Sequence, residues 1–309
     1  SYEFCKDVMI KKYGIPVYCD ENGNIRKAEF AILGMGKLGG EELNFSSDID
    51  LIYIYSSDEG KTKGANDDHI SITTLSNHEF FSKLARMITD AINKITADGN
   101  VFRIDLGLRP EGQSGDIACS IRSCEIYYES WGQTWERQAL IKARVSAGSE
   151  ELGQQFKRTR KNFIYRKYLD FQAIDEIREG KIKIENKLKS LAKKMDIKLG
   201  TGGIREIEFI VQVFQLIYGG RNESIREKNT LKALKLIYEN NYLAENDYQS
   251  LVKAYRFLRD LENKIQMSFG LQSHIIPIKK EEQIVLAKKM GMKWTDKHDA
   301  SEMLLEECR

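Results

Sequence analysis

Two aspartates at close spacing are the residues of this chain best suited to chemistry. Asp48 and Asp50 flank Ile49 at the start of an apolar run. Successive residues of a strand point to opposite faces, so both aspartates share one face, about 6–7 Å apart along the strand. Carboxylates at that spacing can share divalent metal ions. The pattern therefore predicts a metal site at the start of a strand.

A glycine-rich stretch lies directly upstream of these aspartates. The sequence GMGKLGG, residues 34–40, follows an apolar run at 30–33. Glycines in a turn allow backbone N–H groups to approach phosphate oxygens closely. A phosphate-binding turn followed by paired carboxylates indicates a metal-dependent enzyme that acts on phosphate.

Two better-known phosphate motifs do not fit the same stretch. Gly34, Gly36 and Gly39 match the glycine spacing of a dinucleotide-binding fingerprint. That unit needs a complete crossover helix within about 30 residues, whereas here the next strand begins at the aspartates themselves. A P-loop would require Gly-Lys-Ser/Thr at the end of the glycine run, which the sequence lacks. We therefore reject both interpretations.

A third carboxylate stands in a later strand pattern. Residues 101–108, VFRIDLGL, alternate as a strand, with the apolar side chains on one face. Arg103, Asp105, Gly107 and Arg109 then share the other face, so Asp105 lies between two cations.

The remaining pattern predicts an α+β part followed by an all-helical part. Strands are expected at 28–33 and 49–55, a helix capped by Ser76 and Glu79 follows, and another helical stretch, interrupted at Gly132, covers 121–145. After about residue 150 the strand signals stop. Helices are then expected at 151–196, 204–218, 225–240, 245–267, 281–290 and 296–308.

Length, charge and cysteine usage limit the class of protein. A chain of 309 residues is long enough for two domains, and its net charge of +2 gives no indication of nucleic-acid or membrane binding. The five cysteines are scattered, without a C-x-x-C pair, which predicts reduced thiols in a cytoplasmic protein. No apolar stretch approaches the roughly 20 residues of a membrane helix, and no signal peptide heads the chain.

Four blocks of sequence carry a resemblance to a known family. They read GMGKLGGEELNFSSDIDLIYIY, FRIDLGLRPEGQSG, TWERQALIKARVSAG and GTGGIREIEFIVQ. Together they resemble the bifunctional glutamine synthetase adenylyltransferase/adenylyl-removing enzymes, which belong to the nucleotidyltransferase superfamily. The ELNFSSDID form is similar to the N-terminal, AMP-removing copy of that family's two catalytic domains. The resemblance implies a nucleotidyltransferase-fold catalytic domain at 1–150. It implies an all-α helical bundle domain at 151–309, similar to that of uridylyltransferase-type nitrogen regulators.

The resemblance also implies a reaction and its participants. Inorganic phosphate would attack the AMP phosphorus of adenylylated glutamine synthetase, with release of ADP. Two Mg²⁺ or Mn²⁺ ions would be held by Asp48, Asp50 and Asp105. Phosphate or nucleotide contacts are implied for Gly39, Gly40, Ser47, Arg109, Lys142 and Arg144. Glutamine synthetase and uridylylated PII signal protein are the implied protein partners, with no nucleic acid and no membrane.

Two features leave other functions open. The family's third-carboxylate strand usually reads Asp-x-Arg-Leu-Arg-Pro, whereas Gly107 stands here in place of the first arginine. The family's second catalytic copy is absent from this chain, which predicts an excised domain or a shortened relative. The alternatives are ATP-dependent adenylyl transfer to glutamine synthetase, and an inactive regulatory module that binds PII or glutamine synthetase.

Overall fold

The computed structural model describes residues 1–64, 73–97, 99, 101–166, 175, 179, 182, 195–269, 273–292 and 299–308. The chain divides into two compact units. The sheet unit comprises Ser1–Glu42 and Asp48–Ile164, and the helical unit comprises Leu43–Ser47 and Tyr165–Arg309. The class predicted from the sequence, a mixture of small sheets and many helices, is confirmed. The nucleotidyltransferase fold and the domain boundary at residue 150 stay predictions.

A five-stranded mixed sheet forms the centre of the sheet unit. Its strands are β3 (Phe30–Gly34), β4 (Ile49–Tyr55), β6 (Ile104–Asp105), β7 (Ala118–Ser120) and β8 (Arg144–Gly148). Strand β3 lies between β4 and β8 and is antiparallel to both, while β6 and β7 run parallel to β4 along its other edge. All five residues of β3 are buried, as is most of β4. Both apolar runs are therefore central strands, as the sequence predicts.

A smaller sheet and three helices complete the first half of this unit. They are α1 (Tyr2–Tyr13), β1 (Ile15–Cys19), β2 (Ile25–Lys27), the four-residue α2 (Gly36–Gly39), β5 (Lys61–Lys63) and α3 (Asn77–Asn93). Ser76 and Glu79 form the predicted capping box at the start of α3. The buried face of α3 contributes Phe80 and Phe81 to an aromatic core that includes Phe30 and Tyr53.

Two predicted elements of the sheet unit are shorter than expected. The strand expected over 101–108 is limited to β6, because Asp105 accepts a hydrogen bond from Gly107 N–H at 2.7 Å and the chain turns. The helical stretch expected over 121–145 is interrupted at Gly132 as predicted, which separates α4 (Ile121–Ser130) from α5 (Thr134–Ile141), but it ends early because β8 begins at Arg144. Helix α6 (Glu150–Ile164) follows, and the rest of the predicted 151–196 helix falls mostly outside the described residues.

Five α-helices of the helical unit have both ends among the described residues. They are α7 (Ile204–Tyr218), α8 (Thr230–Glu239), α9 (Glu245–Phe269), α10 (Lys280–Lys289) and α11 (Ala300–Glu307). Leu258, Leu261 and Ile265 of α9 are buried in a core shared with α7, α10 and α11, as their helical spacing predicts. None of the helices in the described parts of the chain is long and apolar enough to cross a membrane.

Candidate active site

Asp50 and Asp105 lie opposite each other on neighbouring strands of the central sheet, and Asp48 directly precedes the first of these strands. In the parallel pairing of β4 with β6, Ile49 lies opposite Ile104 and Asp50 lies opposite Asp105. Neighbouring strands are about 4.8 Å apart, and paired residues direct their side chains to the same face. Asp48 precedes β4 by one residue, so its side chain alternates back to the face of Asp50. The sheet thus pairs Asp50 with Asp105 and places Asp48 two residues before Asp50.

Arg103 is a site residue to which the sequence pattern gave no role. Its Nε lies 2.5 Å from Asp48 Oδ1, and its backbone carbonyl accepts the Ile49 N–H at 2.9 Å. The two side chains are 49% and 35% exposed, so the ion pair is open to solvent and to ligands. The alternation of 101–108 did place Arg103 on the face of Asp105, and that was the signal available.

Gly36 is the glycine of the turn that makes room for a candidate catalytic carboxylate. It has a φ of +48°, and a Cβ built on it would lie 2.4 Å from Asp50 Oδ2. The Met35 N–H donates to the Asp50 carbonyl at 2.9 Å, which fixes the backbone on the same side. A residue with a side chain at this position would displace the Asp50 carboxylate.

The amides of Gly39 and Gly40 are hydrogen-bonded within the turn in this structure, and their predicted phosphate contacts stay predictions. The Gly39 N–H donates to the Met35 carbonyl at 2.8 Å, and the Gly40 N–H donates to the Gly36 carbonyl at 3.0 Å. A Cβ on Gly39 would lie 2.0 Å from the Lys142 carbonyl oxygen. Gly39 is therefore required by the close approach of two backbone segments, and both amides are used inside the turn.

Lys142 and Arg144 do not lie on one helix, and both contact the turn that contains α2. Lys142 Nζ is 2.7 Å from Glu42 Oε2, with side chains only 8% and 6% exposed. Arg144, the first residue of β8, donates from Nη2 to the Leu38 carbonyl at 2.9 Å. The structure shows both cations anchoring residues 38–42, and their predicted phosphate contacts stay predictions.

The guanidinium of Arg109 is occupied by the loop that follows β6. Its Nη1 donates to the Leu106 carbonyl at 2.8 Å, Nη2 to the Gln113 carbonyl at 3.1 Å, and Nε to the Asp116 carbonyl at 3.1 Å. The Gly115 carbonyl accepts two further bonds, from Nε at 3.2 Å and from Nη2 at 3.1 Å. Arg109 thus braces the loop, and its predicted phosphate contact stays a prediction.

Ser47 lies in the short segment that belongs to the helical unit. Its Oγ accepts the Asn44 N–H at 3.0 Å, and the residue is half-buried. This bond closes a tight turn immediately before Asp48. A contact between the Ser47 hydroxyl and phosphate stays a prediction.

The donor set suits a hard divalent cation, although the carboxylates have other contacts in this structure. Mg²⁺ and Mn²⁺ prefer carboxylate oxygens, and Asp48, Asp50 and Asp105 supply them on one face. Asp48 is paired with Arg103, and Asp105 accepts the Gly107 amide. Within the described residues, no three His, Cys, Asp or Glu side chains are already grouped as metal ligands. The residue types and their shared face fit the ion, and binding would exchange these contacts.

Comparison with known proteins gives a consistent result along the chain. The sequence profile of the glutamate-ammonia ligase adenylyltransferase family matches residues 2–159. The profile of the GlnD PII-uridylyltransferase family matches residues 174–309. The two matches divide the chain in the same order as the sheet-containing and helical parts.

Similar proteins in three bacteria are each named bifunctional glutamine synthetase adenylyltransferase/adenylyl-removing enzyme. The protein of Nitrosococcus oceani is 44% identical over 84% of this chain and 26% of its own length. That of Methylococcus capsulatus is 40% identical over 92% of this chain and 29% of its own length. That of Pseudomonas putida is 38% identical over 97% and 30%, respectively. The chain therefore spans less than a third of the length of these relatives.

Proposed function

The chain belongs to the glutamate-ammonia ligase adenylyltransferase family, and on that premise we propose that it removes AMP from adenylylated glutamine synthetase. Inorganic phosphate attacks the AMP phosphorus, the bond to the tyrosyl oxygen breaks, and ADP leaves. The tyrosine oxygen then takes up a proton. The sheet unit would be a nucleotidyltransferase domain of a cytoplasmic enzyme, and the helical unit would bind glutamine synthetase or PII.

The pairing of β4 with β6 is the observation that carries this proposal. It sets Asp50 beside Asp105, with Asp48 on the same face. Two anionic phosphates must come together in the reaction, and a face of three carboxylates suits the cations that this requires. When bound, Mg²⁺ or Mn²⁺ would neutralise the charge on both phosphate groups.

Two further residues support the chemistry of the same face. Arg103 orients the Asp48 carboxylate, and its exposed guanidinium presents N–H donors suited to a phosphate oxygen. Gly36 leaves the space that the Asp50 carboxylate occupies. A tyrosyl oxygen, with an ordinary pKa of about 10, is an acceptable leaving group once its charge is offset. No covalent enzyme intermediate is needed.

The direction of the reaction rests on the ELNFSSDID sequence, which is similar to the AMP-removing copy of the family. Adenylyl transfer from ATP to glutamine synthetase is the second candidate, because the names of the relatives include both activities. The same carboxylates would serve either direction, so only substrates distinguish the two.

The test is to incubate the protein with adenylylated glutamine synthetase, Mg²⁺ and phosphate, and to measure ADP. We expect phosphate-dependent ADP release that is lost in Asp48→Asn and Asp50→Asn. Asp90→Asn, an exposed aspartate on α3, is the matched control and should keep full activity. Full activity in either active-site variant would refute the assignment of these carboxylates. AMP incorporation from ATP without ADP release would establish the transferase, and binding without either reaction would indicate a regulatory module.

A further inference from the structure

The segment Leu43–Ser47 connects α2 to Asp48, yet it makes its contacts within the helical unit. One face of α9 binds three consecutive residues of it. Arg259 Nη2 donates to Asn44 Oδ1, as the first of three bonds. Asn263 Oδ1 accepts the Phe45 N–H at 3.3 Å, and Gln266 Oε1 accepts the Ser46 N–H at 3.2 Å.

The spacing of the three α9 residues explains how one helix can reach consecutive residues. Positions 259, 263 and 266 are related as i, i+4 and i+7, so they lie along a single face. Each contributes one polar atom in the order of the segment, which therefore runs along the helix. Two of the bonds hold backbone amides, so they fix the path of the chain and not only its side chains.

The Arg259 side chain is itself positioned by a buried carboxylate. Arg259 Nε lies 3.4 Å from Glu262 Oε2, and the Glu262 side chain is fully buried. His274 Nδ1 lies 2.9 Å from Glu262 Oε1 on the other side. Because Glu262 is buried and paired, it limits the orientations open to the Arg259 side chain. The guanidinium is therefore already oriented to donate to Asn44.

Burial of apolar surface does not explain why the segment is held here. Phe45, its most apolar residue, is 75% exposed. Gln266 is 1% exposed, and its Nε2 has no hydrogen-bond partner within the described residues. A buried amide with one unsatisfied donor is unfavourable for packing. Its evident contribution is the bond to Ser46, which orders the backbone two residues before Asp48.

We propose that Arg259, Asn263 and Gln266 are positioning residues for the reaction, acting through the segment Leu43–Ser47. By fixing the backbone that leads into Asp48, they set the direction of its carboxylate. The inference rests on the proposed function, because only there is Asp48 a ligand of the catalytic cation. It assigns a part of the catalytic geometry to the helical unit.

The test compares Asn263→Leu and Gln266→Leu with Asn263→Asp and Gln266→Glu, which keep the accepting oxygen. Gln249→Leu, an exposed glutamine on the same helix, is the matched control. Three quantities are measured: amide hydrogen exchange of residues 43–47, the Kd for Mn²⁺, and kcat and KM for phosphate. We expect the leucine variants to exchange faster and bind Mn²⁺ more weakly. Their kcat should fall roughly 10- to 100-fold with little change in KM. The acidic variants should recover most of each loss.

The exchange and Mn²⁺ measurements need no glutamine synthetase, so they separate this inference from the proposed function. Wild-type amides at Phe45 and Ser46 that exchange at the unprotected rate would overturn the anchor, whatever the enzyme does. An active wild type with unchanged kcat in the leucine variants would overturn the positioning role alone. If the leucine variants fail to fold, the acidic variants are compared with the wild type. A loss of kcat in them of roughly 10- to 100-fold would contradict a role for the accepting oxygens.

Discussion

Replacing Lys142 by methionine tests whether this lysine is structural or binds phosphate. The ion pair with Glu42 is 2.7 Å long, and both side chains are more than 90% buried. Removing one partner of a buried pair leaves the other charge without its counter-ion, which costs about 3–5 kcal/mol. Because the pair anchors the turn that contains α2, we expect Lys142→Met to lower the free energy of unfolding by about 3 kcal/mol.

A double-mutant cycle measures the pair itself. Glu42→Leu should cost a similar amount, whereas Lys142→Met combined with Glu42→Leu should lie within about 1 kcal/mol of the wild type, because no buried charge is then left alone. The free energies come from urea titrations followed by circular dichroism. Lys83→Met, an exposed lysine on α3, is the control and should change stability by less than about 0.5 kcal/mol.

Two results would contradict this reasoning. If the two single changes simply add, the contact does not couple the residues and the buried pair is not what holds the turn. If Lys142→Met keeps the stability of the wild type and instead raises KM for phosphate, the lysine is a phosphate ligand. The second result would confirm the phosphate contact that the sequence predicts for this residue.

Three other predictions concern single positions. Gly36→Ala should weaken Mn²⁺ binding more than Gly23→Ala, since both have positive φ but only Gly36 faces Asp50; equal Kd values would refute this. Arg109→Lys should lower the free energy of unfolding, measured by urea titration, by about 2 kcal/mol and make the loop after β6 more sensitive to proteases, because one ammonium cannot donate to all the carbonyls that Arg109 contacts. An unchanged rate of proteolysis would argue against the bracing role. Burial raises the pKa of Glu136 above its ordinary 4.5, so its contribution to the free energy of unfolding is complete below pH 4.5 and is lost as the pH rises through the pKa of the folded state. Urea titrations at successive pH values should show a smaller loss of stability with rising pH in Glu136→Gln than in the wild type. An equal loss in both proteins would contradict this assignment.

The features that the sequence predicts correctly depend on local or strictly periodic information. Strands β3 and β4 are apolar runs, and the start of α3 follows from a capping box whose two members are three residues apart. The common face of Asp48 and Asp50 follows from the two-residue period of a strand. None of these needs knowledge of which distant segments meet.

The features that it misses depend on distant segments. The sequence does not show that the carbonyl of Lys142 closely approaches Gly39, nor that the amides of Gly39 and Gly40 bond within the turn. The ion pair of Lys142 joins residues one hundred positions apart. Arg103 could be placed on the correct face but not beside Asp48, because the register of β6 against β4 is a tertiary property.

The continuous signature GMGKLGGEELNFSSDID contributes residues to both units, so its parts are held by different contacts. Its glycine turn is anchored by Lys142 and Arg144 within the sheet unit, whereas Leu43–Ser47 is bound by α9 within the helical unit. Asp48 immediately follows a segment held by hydrogen bonds within the helical unit, while Asp50 is placed by β4 and Gly36. The two neighbouring aspartates thus depend on different parts of the protein. Changes in α9 should therefore affect Asp48 and leave Asp50 in place, since a rigid strand pairing does not transmit a backbone shift that ends before it.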